Sequence, residues 1–369
     1  MLAKHGAADG SLFACISEAA LRIHTNKPVA TMSSDAIRCL VVDKCHSEAS
    51  LNVLTMPAEQ LGVGTVEIEV HWSSLNYKDA LAATGHPGVV KQFPHVPGID
   101  AAGIVLSCTD GIFQAGDQVL VTGYDLGQGH WGGWSERIRV PSEWVVSLNR
   151  GVAGGLSERD AMVYGTAGFT AAQCVMALEC NGVKPESGEV IVTGATGGVG
   201  SLALRILSHL GYRVVAVTGK TELTEQLIEL GAKRVIGRNE LLDETTRPLL
   251  NSRWAGGVDT VGGHLLTSLL RSTQYGGCVA ACGLVAGADL NMTLYPFLLR
   301  GVTLSGIGSA DCPREKRLRI WDLLAGPWRP ANLNQLVSEV SLEQLAVEVQ
   351  RILAGQQTGR IIVNPLHTF

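Results

Sequence analysis

Residues 190–201, VIVTGATGGVGS, constrain this chain more than any other stretch. A run of β-branched residues meets four glycines (Gly194, Gly197, Gly198, Gly200) in seven positions, and the apolar run SLALRILSHLG follows at once. A strand that passes through glycines directly into a helix makes a turn whose bare backbone N–H groups can approach a pyrophosphate, and the helix N-terminus adds partial positive charge. Side chains would block that approach. The usual G-x-G-x-x-G spacing fails at its first position, where Ala195 precedes Gly197 and Gly200. A glycine cluster alone suits a purely structural tight turn equally well, so context has to decide. Here EVIVTG, GVGSLALRILSHLG, YRVVAVTG, TELTEQLIELGA, KRVIG, VDTVGG, LLTSLLRSTQYGG and CVAACG alternate strand and helix patterns. That alternation predicts a parallel, doubly wound sheet and makes the turn a dinucleotide site.

Upstream the period is two. AIRCLVVDK, LNVLTMPAEQLGVGTVEIEVHWSSLN, AAGIVLSCT, GDQVLVTG and SERIRVPSEWVVSL alternate apolar and polar residues between Gly and Pro, which predicts a small antiparallel β unit to about residue 160. DAMVYGTAGFTAAQCVMALECNG then takes helical spacing and stops at Gly182. From GVTLSGIG onward the chain returns to strands, with the helical stretches EKRLRIWDLLAG and SLEQLAVEVQRILAG and a final strand, GRIIVNP. The division expected is an extension at 1–31, a β-rich catalytic domain at 32–163, a nucleotide domain at 164–300, and a return at 301–369 that completes the first domain. The extension lacks the alternation that follows, ends before Met32, and has acids where a secretory signal needs an apolar core. It reads as a tail, with SLFACISEAALRI able to form a short amphipathic helix.

With 369 residues, 46% hydrophobic and 17% charged, the chain can fill two cores. A net charge of −5 provides no basic stripe for nucleic acid, and no run of about 18 apolar residues predicts a membrane span. The nine cysteines are scattered without a CxxC pair, which favours small-hydrophobe roles in a reducing cytoplasm.

An NAD site would place Asp or Glu at the tip of the second nucleotide-domain strand to hold the ribose 2′-OH. This chain has Val217-Thr218-Gly219-Lys220 there, and Arg238 follows the third strand. A hydroxyl and two cations suit a 2′-phosphate, so the coenzyme expected is NADPH. Glu222 nearby leaves room for NADH, and Lys220 also reads as a solvated loop charge.

The order of β domain, nucleotide domain and return resembles the medium-chain dehydrogenase/reductase superfamily, which implies a GroES-like β-rich domain beside a Rossmann α/β domain. Where zinc-dependent members hold a catalytic metal through Cys and a His-Glu pair, this chain has Asn76 and Ile99-Asp100, and a four-cysteine structural lobe is missing. Reaction without metal is expected. SSLNYKDALAATG, PGIDAAGIV, GHWGGWSE, GTAGFTAAQCVMALE, VTGATGGVG, GGVDTVGG and YGGCVAACGL together are similar to the NADPH-dependent acrylyl-CoA reductase branch of the zinc-free quinone-reductase-like group. The resemblance implies reduction of the 2,3 double bond of acryloyl-CoA to propanoyl-CoA, with hydride to Cβ and then a proton to Cα. It also implies coenzyme contacts at Tyr77, Thr196, Gly197, Gly198, Val199, Thr218, Gly219, Lys220, Arg238, Leu284, Leu298 and Ser309. The sequence departs from the branch at Gly129, where Asn is more usual, and in an insertion around Val152 to Gly155.

Tyr77 is the catalytic candidate, either positioning the nicotinamide or donating a hydrogen bond. Asn76, Lys78 and Asp79 flank it, and no proton donor is assigned. His130 and Trp131 suit a cleft wall but read better as packing. Asp100 is expected to cap or to bond backbone near the cleft, and Arg300 and Lys91 are offered as cations for the CoA phosphates. Quinone or enone reduction on the same fold and a non-catalytic NADPH-binding protein are the alternative readings. Apolar segments such as GVTLSGI at the sheet edge suggest a homodimer.

Overall fold

The structure is a computed structural model that describes residues 36–45, 48–148 and 155–367. The expected extension at 1–31 and residues 152–154 of the insertion lie outside the described residues.

Strands β1 (Ala36–Cys45) and β2 (Glu48–Pro57) pair as an antiparallel ribbon. β3 (Val66–Ser74) follows the period-two rule: Val66, Ile68 and Val70 are buried while the alternating Glu67, Glu69 and His71 are only half-buried. Helix α1 (Tyr77–Ala83) starts where Asp79 Oδ2 accepts the Asn76 N–H at 2.8 Å, the acidic half of a capping box. β4 (Asp100–Cys108), β5 (Gln118–Thr122), β6 (Arg137–Val140) and β7 (Val146–Ser147) complete this half.

Helix α2 (Glu158–Cys180) begins at a Ser157 cap whose Oγ accepts the Asp160 N–H. By length and composition α2 could cross a membrane, yet 89% of its most apolar window is buried in the fold, as befits a core helix. It kinks at Gly165 (φ 49°), where a side chain would meet Asp100 Oδ2 at 2.5 Å. The expected junction at 163/164 therefore falls inside this helix, next to its kink. Beyond it come β8 (Glu189–Thr193), α3 (Gly198–His209), β9 (Arg213–Thr218), α4 (Thr224–Glu229), β10 (Arg234–Gly237) and α5 (Arg238–Leu241). Next are β11 (Trp254–Asp259), α6 (Gly263–Ser272), β12 (Thr273–Ala281), α7 (Tyr295–Arg300) and β13 (Thr303–Gly306). The last elements are α8 (Arg314–Ala325), β14 (Val337–Val340), α9 (Leu345–Leu353) and β15 (Arg360–Val363).

Two sheets dominate. The six-stranded one runs β10-β9-β8-β11-β12-β13, parallel throughout. The seven-stranded one runs β14-β15-β3-β4-β5-β7, with β6 also on β3. This is the Rossmann sheet joined to a GroES-like β domain that the sequence predicts. The return starts later than the expected boundary at 300/301, because β13 is still an edge of the parallel sheet and only β14 and β15 rejoin the first domain. Leu202, Leu204, Ile206 and Leu207 of α3 are fully buried against α2 and the sheet, each worth about 1.5–3 kcal/mol. That packing fixes the N-terminus of α3, and with it the glycine turn.

Candidate active site

Strand β8 has β9 on one side and β11 on the other, so the order of the parallel sheet reverses there and opens a crevice at the strands' carboxyl ends. The glycine turn leaves β8 at that point. Gly194 (φ +60°) has no room for a Cβ, which would lie 2.3 Å from Thr260 Oγ1, and a Cβ on Gly200 would lie 2.2 Å from Gly194 O. The turn therefore closes on its own backbone. Gly197 caps α3 without a side-chain acceptor, leaving the first-turn N–H groups to an anion. Thr196 is buried, with Oγ1 3.5 Å from Thr218 Oγ1, while Val199 packs on the core. These residues fit a coenzyme pyrophosphate.

At the tip of β9, Thr218 Oγ1 accepts the Lys220 N–H at 2.9 Å. A Cβ on Gly219 would sit 2.9 Å from Arg238 Nε and Cζ, so the guanidinium lies against that glycine. Thr218, Gly219, Lys220 and Arg238 are thus brought together, as expected. Lys220 is not a free loop charge: its Nζ donates to Gln357 O at 2.7 Å and to Thr358 Oγ1 at 3.4 Å, on the segment leading into β15. Partial burial lowers the Lys220 pKa; Glu222 opposes this and Arg238 adds to it.

Tyr77 opens α1, half-buried, with its hydroxyl unpaired among the described residues. Beneath it lies a buried polar network. Asn76 Nδ2 donates to Asp100 Oδ2 at 2.8 Å and to Asp79 Oδ2 at 3.1 Å, and Asn76 Oδ1 accepts from Arg360 Nη1 at 3.3 Å. Asp100 also accepts from Ser74 Oγ, Thr166 N and Thr166 Oγ1 at 2.6, 2.9 and 2.6 Å. Of the four donors that meet it here, one is backbone, so the expected backbone bond is present within a larger side-chain web. Asp79 Oδ1 accepts the Ile99 N–H at 2.8 Å; burial, reinforced by Asp100, pushes the Asp79 pKa up to about 7. Zinc does not fit here. The carboxamide of Asn76 is engaged at both ends, Asp100 is saturated with donors, and Ile99 has no ligand atom.

Other expected residues divide. Leu284 is half-exposed in the loop after β12 and rests on Gly262, where a Cβ would lie 3.0 Å from Leu284 Cα. Ser309 is held at the domain junction, its carbonyl accepting from Arg317 Nη2 at 3.1 Å; Arg317 Nη1 also reaches Thr122 O at the end of β5. Leu298 stands apart on α7, 76% exposed. His130 and Trp131 pack, as favoured: His130 Nε2 bonds Val63 O and its ring lies edge-on to Trp144, while Trp131 backs the β1–β2 core. Lys78 is half-buried and Lys91 exposed. Arg300 is a correction. Its guanidinium donates to the carbonyls of Leu250, Arg271 and Thr273 and serves the nucleotide domain's backbone instead of CoA.

Sequence reasoning missed Arg360, Thr358 and the depth of Asp79. Arg360 is 2% exposed, donates through Nε to Val163 O, and abuts Gly198, whose Cβ would come within 3.2 Å of Nη1. The only trace in the sequence is an arginine heading the apolar strand GRIIV.

Comparison with known proteins finds two family models: an alcohol dehydrogenase GroES-like domain at residues 62–150 and a zinc-binding dehydrogenase at 198–325. The chain is 45% identical over 327 residues to the probable acrylyl-CoA reductase AcuI of Escherichia coli K12, covering 89% of this chain and 99% of that protein. Among solved structures it is similar to E. coli K-12 YhdH with bound NADPH (TM-score 0.84, 45% identity, 88% and 99% of the two chains). It is also similar to Bacillus subtilis yhfP with NAD bound (TM-score 0.87, 44% identity, 90% and 100%).

Proposed function

This chain belongs to the medium-chain dehydrogenase/reductase superfamily, among the acrylyl-CoA reductases and their quinone-oxidoreductase-like kin, and from that premise we infer that it reduces acryloyl-CoA to propanoyl-CoA with NADPH. The observation that carries this reading is a side-chain-free turn at the sheet's reversal point, with Thr218, Lys220 and Arg238 grouped beside it and Tyr77 opening the neighbouring helix. The reduced nicotinamide, when bound, supplies the hydride that Cβ of the enoyl thioester accepts.

The protein's share is positioning and electrostatics. The first-turn N–H groups of Gly198, Val199 and Gly200, with that of Thr196, would hold the pyrophosphate, the Gly197 N–H being spent on Gly194 O, and Thr218, Lys220 and Arg238 would grip the 2′-phosphate. Leu284 and Ser309 would add coenzyme contacts, while Leu298 stands apart on α7. Charge then builds on the thioester oxygen as the double bond is reduced. Tyr77, whose hydroxyl has no partner among the described residues, is the candidate donor, and a donor aimed at such an oxygen is worth about 3–4 kcal/mol. The enolate then takes a proton at Cα, which water can supply. Metal takes no part, in keeping with the saturated Asn76–Asp100 network.

Two copies join through the edge strand β13. Leu294, Leu298 and Leu299 beside it are 67%, 76% and 59% exposed, an apolar surface that a second subunit would cover. A cytoplasmic setting suits the described cysteines, all free thiols. The reading is tested by steady-state turnover of acryloyl-CoA, crotonoyl-CoA and a simple quinone, each with NADPH and with NADH. Highest kcat/KM with acryloyl-CoA and NADPH is expected; faster quinone turnover would move the activity to the quinone reductases, and no NADPH oxidation with any acceptor would leave a binding protein.

A further inference from the structure

The segment 357–360 comes from the C-terminal return, yet it lies across the nucleotide crevice. Gly359 donates its N–H to Thr196 O at 2.9 Å, which ties the segment to the glycine turn. Two and one residues earlier, Gln357 O and Thr358 Oγ1 accept from Lys220 Nζ at 2.7 and 3.4 Å. We propose that Thr358, with the carbonyl of Gln357, is a positioning residue for coenzyme choice, holding the Lys220 ammonium ready for the 2′-phosphate of NADPH. The proposal rests on the NADPH reading above and adds a determinant from the other domain.

A lysine side chain is long and loses rotamer freedom when it grips a ligand. Beside Arg238, an untethered ammonium is repelled and swings toward solvent. An ammonium has three N–H donors, and two acceptors on the 357–358 segment keep two of them satisfied, leaving the third for a phosphate oxygen. Preorganisation of this kind raises affinity by reducing the ordering that binding requires. NADH has a hydroxyl where NADPH has the phosphate, so it gains nothing from the arrangement.

The test uses the full-length enzyme with Thr358→Val, Thr358→Ala and Thr358→Ser, alone and on a Lys220→Ala background, and reads KM for NADPH and for NADH together with kcat on acryloyl-CoA. Losing the hydroxyl should raise KM for NADPH about three- to tenfold, the range of one hydrogen bond, while KM for NADH and kcat at saturating NADPH hold within twofold. Thr358→Ser should restore the wild-type value, and on the Lys220→Ala background Thr358→Val should add nothing. Equal losses for both coenzymes, or an undiminished loss without Lys220, would overturn the proposal. If Lys220→Ala itself leaves KM for NADPH unchanged, the coenzyme reading fails. If Lys220→Ala acts but both Thr358→Val and Thr358→Ala are silent, only the role of Thr358 falls.

Discussion

Tyr77 and Asp79 sit two residues apart at the start of α1 and carry different kinds of information. Tyr77→Phe removes one hydroxyl from the cleft and leaves the ring in place. Its expected effect is a fall in kcat of about a hundredfold with KM for NADPH little changed, measured on acryloyl-CoA; unchanged kcat would remove Tyr77 from the chemistry. Asp79 is invisible to solvent, and its pKa rises from 3.8 to about 7 because burial and Asp100 disfavour its charged form. A native state that binds a proton more tightly than the unfolded chain is stabilised at low pH and loses that contribution as pH rises through about 7. The stability of the wild type relative to Asp79→Asn should therefore decline from about pH 4 to about pH 7 in denaturant melts and level off above. A difference that is flat or grows over that window would contradict the shifted pKa. Of these two residues only Tyr77 was legible as functional, through the motif LNYKD. Nothing local distinguishes a buried Asp79 from a helix-capping one, since the partner that raises its pKa lies 21 positions away at Asp100.

At the scale of elements, the glycine turn was readable because strand, glycine and helix signals all fall within one dozen residues. Its conformational demand is equally local: Gly200→Ala puts a methyl 2.2 Å from Gly194 O, against backbone that cannot move without displacing β8 or α3. That variant should lose about 1–3 kcal/mol of stability and bind NADPH at least tenfold more weakly, checked by melting and by coenzyme fluorescence titration. Wild-type affinity would mean that the turn is not where the pyrophosphate lies. Other features depend on distant partners. At the kink of α2, Asp100 and Arg360 leave no room for a side chain on Gly165, while the pattern in DAMVYGTAGFTAAQCVMALE shows only a continuous helix. The strand at 303–306 was recognisable as a strand and as a sheet edge. Its retention by the nucleotide sheet past the expected boundary is fixed by pairing with β12, which spacing cannot reveal.

Across the whole molecule, the proposed coenzyme site of one domain is met by the segment that leads into the last strand of the other. Lys220 reaches Gln357, Gly359 reaches Thr196, and Arg360 runs under Gly198 into the Asn76–Asp100 network. Residues 357–360 therefore touch both the proposed coenzyme site and the Asn76–Asp100 network. The dimer is an expectation of the whole molecule: Leu294→Asp at the N-cap of α7 with Leu299→Glu on α7 should shift sedimentation from dimer to monomer, and a monomeric wild type would refute the proposed interface. The central claim is metal-free delivery of hydride from the nicotinamide to Cβ, and one measurement meets it directly. Chelator-treated enzyme is given acryloyl-CoA and NADPH deuterated on the transferred face of C4, and the propanoyl-CoA formed is analysed by mass spectrometry and NMR. One deuterium at Cβ, with the Cα proton drawn from solvent and full turnover without added metal, is the result expected. Solvent hydrogen at Cβ, or activity that vanishes with chelator and returns with zinc, would contradict the account.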